Sequence, residues 1–113
     1  MPVSISIYDL NHEFDAKTLF QEVQDAVEAK VPDFASQIEC RVRDDEKISV
    51  HMEGTNGLLE IELDDTTAVH LYCSMRDTLE KLRISLAVLD HLTERYGGEY
   101  DKDEIRLLRS LLG

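Results

Sequence analysis

The stretch 48–73, ISVHMEGTNGLLEIELDDTTAVHLYC, decides the fold. Apolar positions recur at every second residue in three runs. Ile48, Val50 and Met52 stand against Ser49, His51 and Glu53; Leu59, Ile61 and Leu63 against Leu58, Glu60 and Glu62; Val69, Leu71 and Cys73 against Ala68, His70 and Tyr72. Side chains on a strand point to opposite faces at each step, so each run predicts a strand with one buried face. Asn56-Gly57 lies between the first two runs, and both residues tolerate the positive φ that a tight hairpin needs. Asp64-Asp65-Thr66 is expected to turn the chain between the second and third. One polar face per strand means a sheet covered on one side. Antiparallel meanders are built that way, whereas parallel sheets carry helices on both faces.

The same alternation extends upstream. Ile38, Cys40 and Val42 oppose Glu39, Arg41 and Arg43, with Asp44-Asp45-Glu46 as the following turn, and Val3, Ile5 and Ile7 oppose Ser4, Ser6 and Tyr8 at the N-terminus. Between these strands the period changes. Leu19, Phe20, Val23, Ala26 and Val27 recur at helical spacing, Asp15 is placed to cap the helix, and Pro32 marks its end. Downstream, a long helix is predicted from Met75 to Tyr96, with Leu79, Leu82, Leu86 and Leu89 broadened by Ile84, Val88 and Leu92. Gly97-Gly98 ends it. Ile105, Leu108, Leu111 and Leu112 then form a short amphipathic helix.

The expected order is β-α-β-β-β-β-α-α. It implies an α+β two-layer sandwich: a mostly antiparallel sheet of about five strands, two main helices packed on one face, and a short C-terminal helix. No Pro/Gly/Ser-rich linker, low-complexity tract or internal repeat divides residues 1–113, so a single domain is expected.

The chain carries 24 Asp and Glu against 12 Lys and Arg, a net charge of −12. The imbalance is local: residues 1–74 hold 16 acidic and 5 basic residues, residues 75–113 hold 8 and 7. Such a charge repels nucleic acid and anionic membrane and steers cationic partners inward. Direct nucleic-acid binding would need a basic stripe. Arg76, Lys81, Arg83, Arg95, Arg106 and Arg109 instead lie among acids, as Asp77 does four residues before Lys81, and read as a salt-bridged solvated face. No apolar run reaches the length a membrane helix needs. The N-terminal MPVSISIYDLN lacks the basic start and apolar block of a secretory leader, and Cys40 and Cys73 are too few for a disulfide scaffold. A cytoplasmic protein is the expectation.

The four histidines (His12, His51, His70 and His91) and two cysteines show no CxxC, HxxxH or HExxH spacing, so neither a metal nor another cofactor is expected. Strand parity directs Cys40 and Cys73 inward and His51 and His70 outward, which splits the potential ligands. A polar cluster of His51, His70 and Tyr72, with Glu60 near it, is the one arrangement open to general acid–base work or ligand binding on the outer sheet face.

The acidic half carries the sharper expectation. Glu22, Asp25 and Glu28 step by three along the first helix, and Glu60, Glu62, Asp64 and Asp65 form a second set with no basic residue between 48 and 75. Like charges at helical spacing cost a few tenths of a kcal/mol per pair. The pattern suits a non-catalytic module whose carboxylates dock a basic protein, with Tyr72 as the exposed aromatic anchor. Its concrete form is a bacterial inhibitor or immunity-type protein that covers a basic toxin. The alternatives are a small enzyme or ligand-binding protein using the His51, His70 and Tyr72 face, and a homodimeric accessory domain. For the dimer, the C-terminal helix either folds back on the core or buries Ile105, Leu107, Leu108, Leu111 and Leu112 across a two-fold axis.

Overall fold

The computed structural model describes residues 3–33, 35–42, 47–52, 58–73 and 78–112. The turns expected at Asp44-Asp45-Glu46 and Asn56-Gly57 lie outside the described residues, as do Arg43, Glu53, Met75, Arg76 and Asp77, and the side chains of Met52, Leu58 and Cys73.

The alternating segments become five strands: β1 (Val3–Ile7), β2 (Ile38–Val42), β3 (Lys47–Met52), β4 (Leu58–Asp65) and β5 (Ala68–Cys73). They form one sheet in the order β1-β5-β4-β3-β2, with every neighbouring pair antiparallel. β2 to β5 are a meander, and β1 closes onto the far side of β5, so the chain from β1 to β2 must cross the whole sheet. The register sets Ile5 beside Leu71, Leu71 beside Ile61 and Ile61 beside Ile48, a continuous apolar row. All four are at most 2% exposed.

β4 is longer than its sequence pattern suggested. It runs through Asp65, and the chain reverses at Thr66-Thr67 instead of at Asp64-Asp65-Thr66. Pairing slips between Leu63 and Asp65, which leaves Asp64 as an extra residue in a β-bulge. The turn also secures the segment after β1, because the Thr67 and Thr66 carbonyls accept from the Leu10 and Phe14 amides at 3.1 and 2.7 Å.

Three helices follow the expected order: α1 (Ala16–Lys30), α2 (Thr78–Tyr96) and α3 (Lys102–Ser110). A single 3₁₀ turn (Ala35–Gln37) leads into β2. Asp15 caps α1 as anticipated, accepting from the Thr18 amide at 2.8 Å, while the Thr18 hydroxyl accepts from the Asp15 amide at 2.9 Å. The Thr18 amide, and then the Thr18 hydroxyl donating to Oδ1 at 3.0 Å, favour the carboxylate and lower the Asp15 pKa. The buried stripe of α1 is Leu19, Val23, Ala26 and Val27, packed with α2 and the inner sheet face in one core.

α2 departs from the simple stripe. Ile84 to Leu89 are buried without interruption, because the helix is enclosed by the sheet, α1 and α3. Leu79, expected in the core, is 53% exposed, and Lys81, expected on the solvated face, is 1% exposed. Three cations on the helices reach acids from other elements: Lys30 to Glu94 at 2.9 Å, Arg83 to Asp33 at 3.2 Å and Arg109 to Asp90 at 3.1 Å. α3 divides its apolar residues. Ile105 and Leu108 fold onto the core, while Leu107, Leu111 and Leu112 remain exposed.

Candidate functional site

With the helices on one side, the other sheet face is left to the outward residues. Cross-strand register arranges them in rows. Ser6, His70, Glu62 and Lys47 form one row; Ser4, Tyr72, Glu60, Ser49 and Arg41 form the next. His70 and Tyr72 are therefore neighbours, with ring centres 6.1 Å apart, and Tyr8 meets His70 edge-on at 5.7 Å. His51 does not join them. It pairs with Leu58 on β4, four residues from Glu62, which His70 faces, and strands rise about 3.4 Å per residue.

Two other residues complete the His70 environment. The Ser6 hydroxyl lies 2.7 Å from Nδ1, and an Asp64 oxygen lies 3.3 Å from Nε2. The Ser6 hydroxyl and Nδ1 share a hydrogen bond, while the Asp64 carboxylate stands at ion-pair distance from Nε2. Asp64 is two residues beyond Glu62, which His70 faces, so its side chain falls on the same side of the sheet. Neither contact was legible beforehand: Ser6 and His70 meet only because β1 pairs with β5, and Asp64 was assigned to a turn.

Hydroxyl, imidazole and carboxylate in series are the components of a nucleophile–base relay. Acyl transfer also needs donors aimed at a developing oxyanion. The Tyr8 amide is taken by the Glu99 carbonyl at 2.8 Å. The Ser6 amide lies in the sheet plane, while its side chain stands off the face. The arrangement orients His70 without supplying an oxyanion hole from these amides.

The acidic candidates fall on two layers. Glu60 and Glu62 are half-buried on the open sheet face, and Asp64 and Asp65 are exposed at its end. Asp25 and Glu28 lie on α1, in the opposite layer, where Asp25 accepts from Gln21 at 3.0 Å. Glu22 does not act as a surface charge. Its side chain is 12% exposed, and its two oxygens accept from His91 Nε2 at 2.7 Å and the Tyr96 hydroxyl at 2.8 Å. Arg95 Nε stands 3.6 Å away. His12 stacks on Tyr96 at 5.0 Å and Phe14 meets it edge-on, which closes the cluster. Burial, and then the bond to Glu22, raise the Tyr96 pKa. This cluster joins α1 to α2.

Compared with known proteins, the chain matches no family model, no curated protein and no solved structure. Function rests on these side chains alone. Among the described residues, no group of three or more His, Cys, Asp and Glu is placed to hold a metal ion. No helix among them is long and apolar enough to cross a membrane. Cys40 sits between α1 and β2 beside a space of about 60 Å³, and burial pushes its thiol up to about 11. At neutral pH it is protonated and packs as a small hydrophobe.

Proposed function

We propose that this protein is a non-catalytic binding module that holds a basic protein against its uncovered sheet face. One observation carries the reading: Tyr72 is 37% exposed on a face that no helix covers among the described residues, next to Glu60, with Asp64 and Asp65 exposed at the end of the same face. An exposed aromatic with a polar surround is the usual anchor of a protein interface, and rim carboxylates speed encounter with a cationic partner. The concrete form is an inhibitor or immunity-type protein that occludes a basic site and mimics its anionic substrate. Asp25 and Glu28 face another way and are not part of that contact.

The test is capture of a partner from native lysate, eluted with salt, in parallel with two double variants. Glu60→Lys/Glu62→Lys is expected to lose a stoichiometric basic partner that Asp25→Lys/Glu28→Lys retains. Equal retention by both, or no partner at low salt, would remove the proposal. The Ser6, His70 and Asp64 series supports a second reading, a small serine-dependent hydrolase. A fluorophosphonate probe decides between them: the binding module leaves Ser6 unmodified, whereas stoichiometric labelling abolished by His70→Gln would establish the enzyme.

A further inference from the structure

We infer that the open edge of β1 is a docking groove for an extended Lys- or Arg-bearing segment of a partner protein, which joins the sheet as an added strand. The backbone shows which way this edge faces. In an antiparallel strand, successive residues direct their N–H and C=O groups to opposite sides. The Tyr8 amide donates to Glu99 at 2.8 Å and the Glu99 amide donates back at 2.7 Å, so Tyr8 faces away from β5. Ser6 and Ser4 share that parity. Among the described residues, no backbone group pairs with them on that side.

Exposed edges are normally guarded by charges, proline or a covering element. The opposite edge, β2, carries Glu39 and Arg41, ion-paired at 2.9 Å. β1 offers two serines instead. α3 stands off from it and leaves a groove of about 320 Å³, with Ser4, Ser6 and Tyr8 on one wall and Asp101, Glu104 and Ile105 on the other.

The walls define the occupant. A strand laid antiparallel along β1, the sense in which Glu99 already pairs, would exchange main-chain bonds with Ser4 and Ser6. Its residues facing those serines point outward with them, where small or β-branched side chains fit the pleat. The alternate residues point inward toward Ile105 and the two carboxylates. A Lys or Arg there lays its aliphatic stem on the isoleucine and its charge against Asp101 and Glu104. A net charge of −12 repels acidic segments. This inference goes beyond the sheet-face reading and stands if that face binds nothing.

The test uses a fluorescent, acetylated heptapeptide of alternating Lys and Val, titrated by anisotropy, with two N-methylated isomers. Methylating only the valine amides is expected to weaken binding at least tenfold, whereas methylating only the lysine amides leaves it within twofold. Loss confined to one isomer supports strand addition, and loss confined to the valine isomer fixes the antiparallel sense. On the protein, Glu104→Lys is expected to weaken binding at least tenfold and Glu60→Lys/Glu62→Lys to leave it unchanged. Absence of saturable binding, equal weakening by both methylated peptides, or loss in the Glu60/Glu62 variant instead of Glu104→Lys overturns the inference. The methylated peptides leave the protein intact, so a folding defect cannot imitate the result.

Discussion

Glu22 and Glu28 are identical in sequence terms and opposite in physical role. Glu28 is exposed, while Glu22 accepts from His91 and Tyr96 at the join of α1 and α2. Replacing Glu22 by Ala strands two part-buried donors, which costs about 1–3 kcal/mol. Urea unfolding of Glu22→Ala is expected to show that loss, with Glu22→Gln recovering part of it through the Tyr96 bond. A change near zero would return Glu22 to the surface set. Tyr96 and Cys40 both hold raised pKa values, so the folded chain binds their protons more tightly than the unfolded chain does. That stability is present below their unfolded values and is lost as pH rises through the folded ones. Alkaline destabilisation is therefore expected above about pH 9, and Tyr96→Phe should flatten its upper part in a pH series of melting temperatures. With the thiol at about 11, Cys40 should alkylate at pH 8 roughly a hundredfold more slowly in the native than in the unfolded chain, followed by peptide mapping.

At the scale of elements, legibility followed how local each cause is. Alternation at Leu59, Ile61 and Leu63 records burial of one sheet face, so the strands could be read without knowing their neighbours. The Asp15 cap and the Gly97-Gly98 stop are equally local. Pairing of β1 with β5 is not, since residues separated by α1 and three strands must meet, and the Ser6–His70 contact was hidden with it. Leu79 and Lys81 were misplaced for another reason. A helix enclosed on three sides has no single stripe, so its exposed margin cannot be found by periodicity. Gly98 supplies the sharpest test at this scale. Its φ is +102°, and an added Cβ would lie 3.0 Å from Leu10 Cδ2 and 3.1 Å from the Tyr8 carbonyl oxygen. Gly97 has φ +69° and open space around it. Both alanine variants are strained, by on the order of 1–2 kcal/mol for left-handed backbone. Gly98→Ala is expected to lose clearly more, since it must also displace the β1 end. Equal melting temperatures would refute the close approach.

For the whole molecule, the decisive property is how the negative charge is divided between two layers. On α1, Glu28 follows Asp25 at a spacing where like charges repel. On the sheet, Glu62 lies across from Lys47 on one side and His70 on the other. The same substitution should therefore have opposite signs in the two places. Glu28→Lys is expected to raise stability by a few tenths of a kcal/mol at low salt, an effect that fades as screening shortens the range of the charges. Glu62→Lys sets two lysines directly opposite each other and should lower stability by about 0.2–1 kcal/mol. Denaturant curves of both variants at 10 mM and 1 M salt would show the contrast. Shifts of the same sign would mean that the chain responds only to its total charge of −12. Opposite signs would mean that Glu62 is already balanced within its row. In the proposed complex Glu60 and Glu62 would then act in the bound state and the exposed Asp64 and Asp65 in encounter, so reversal of Asp64 and Asp65 should slow association most.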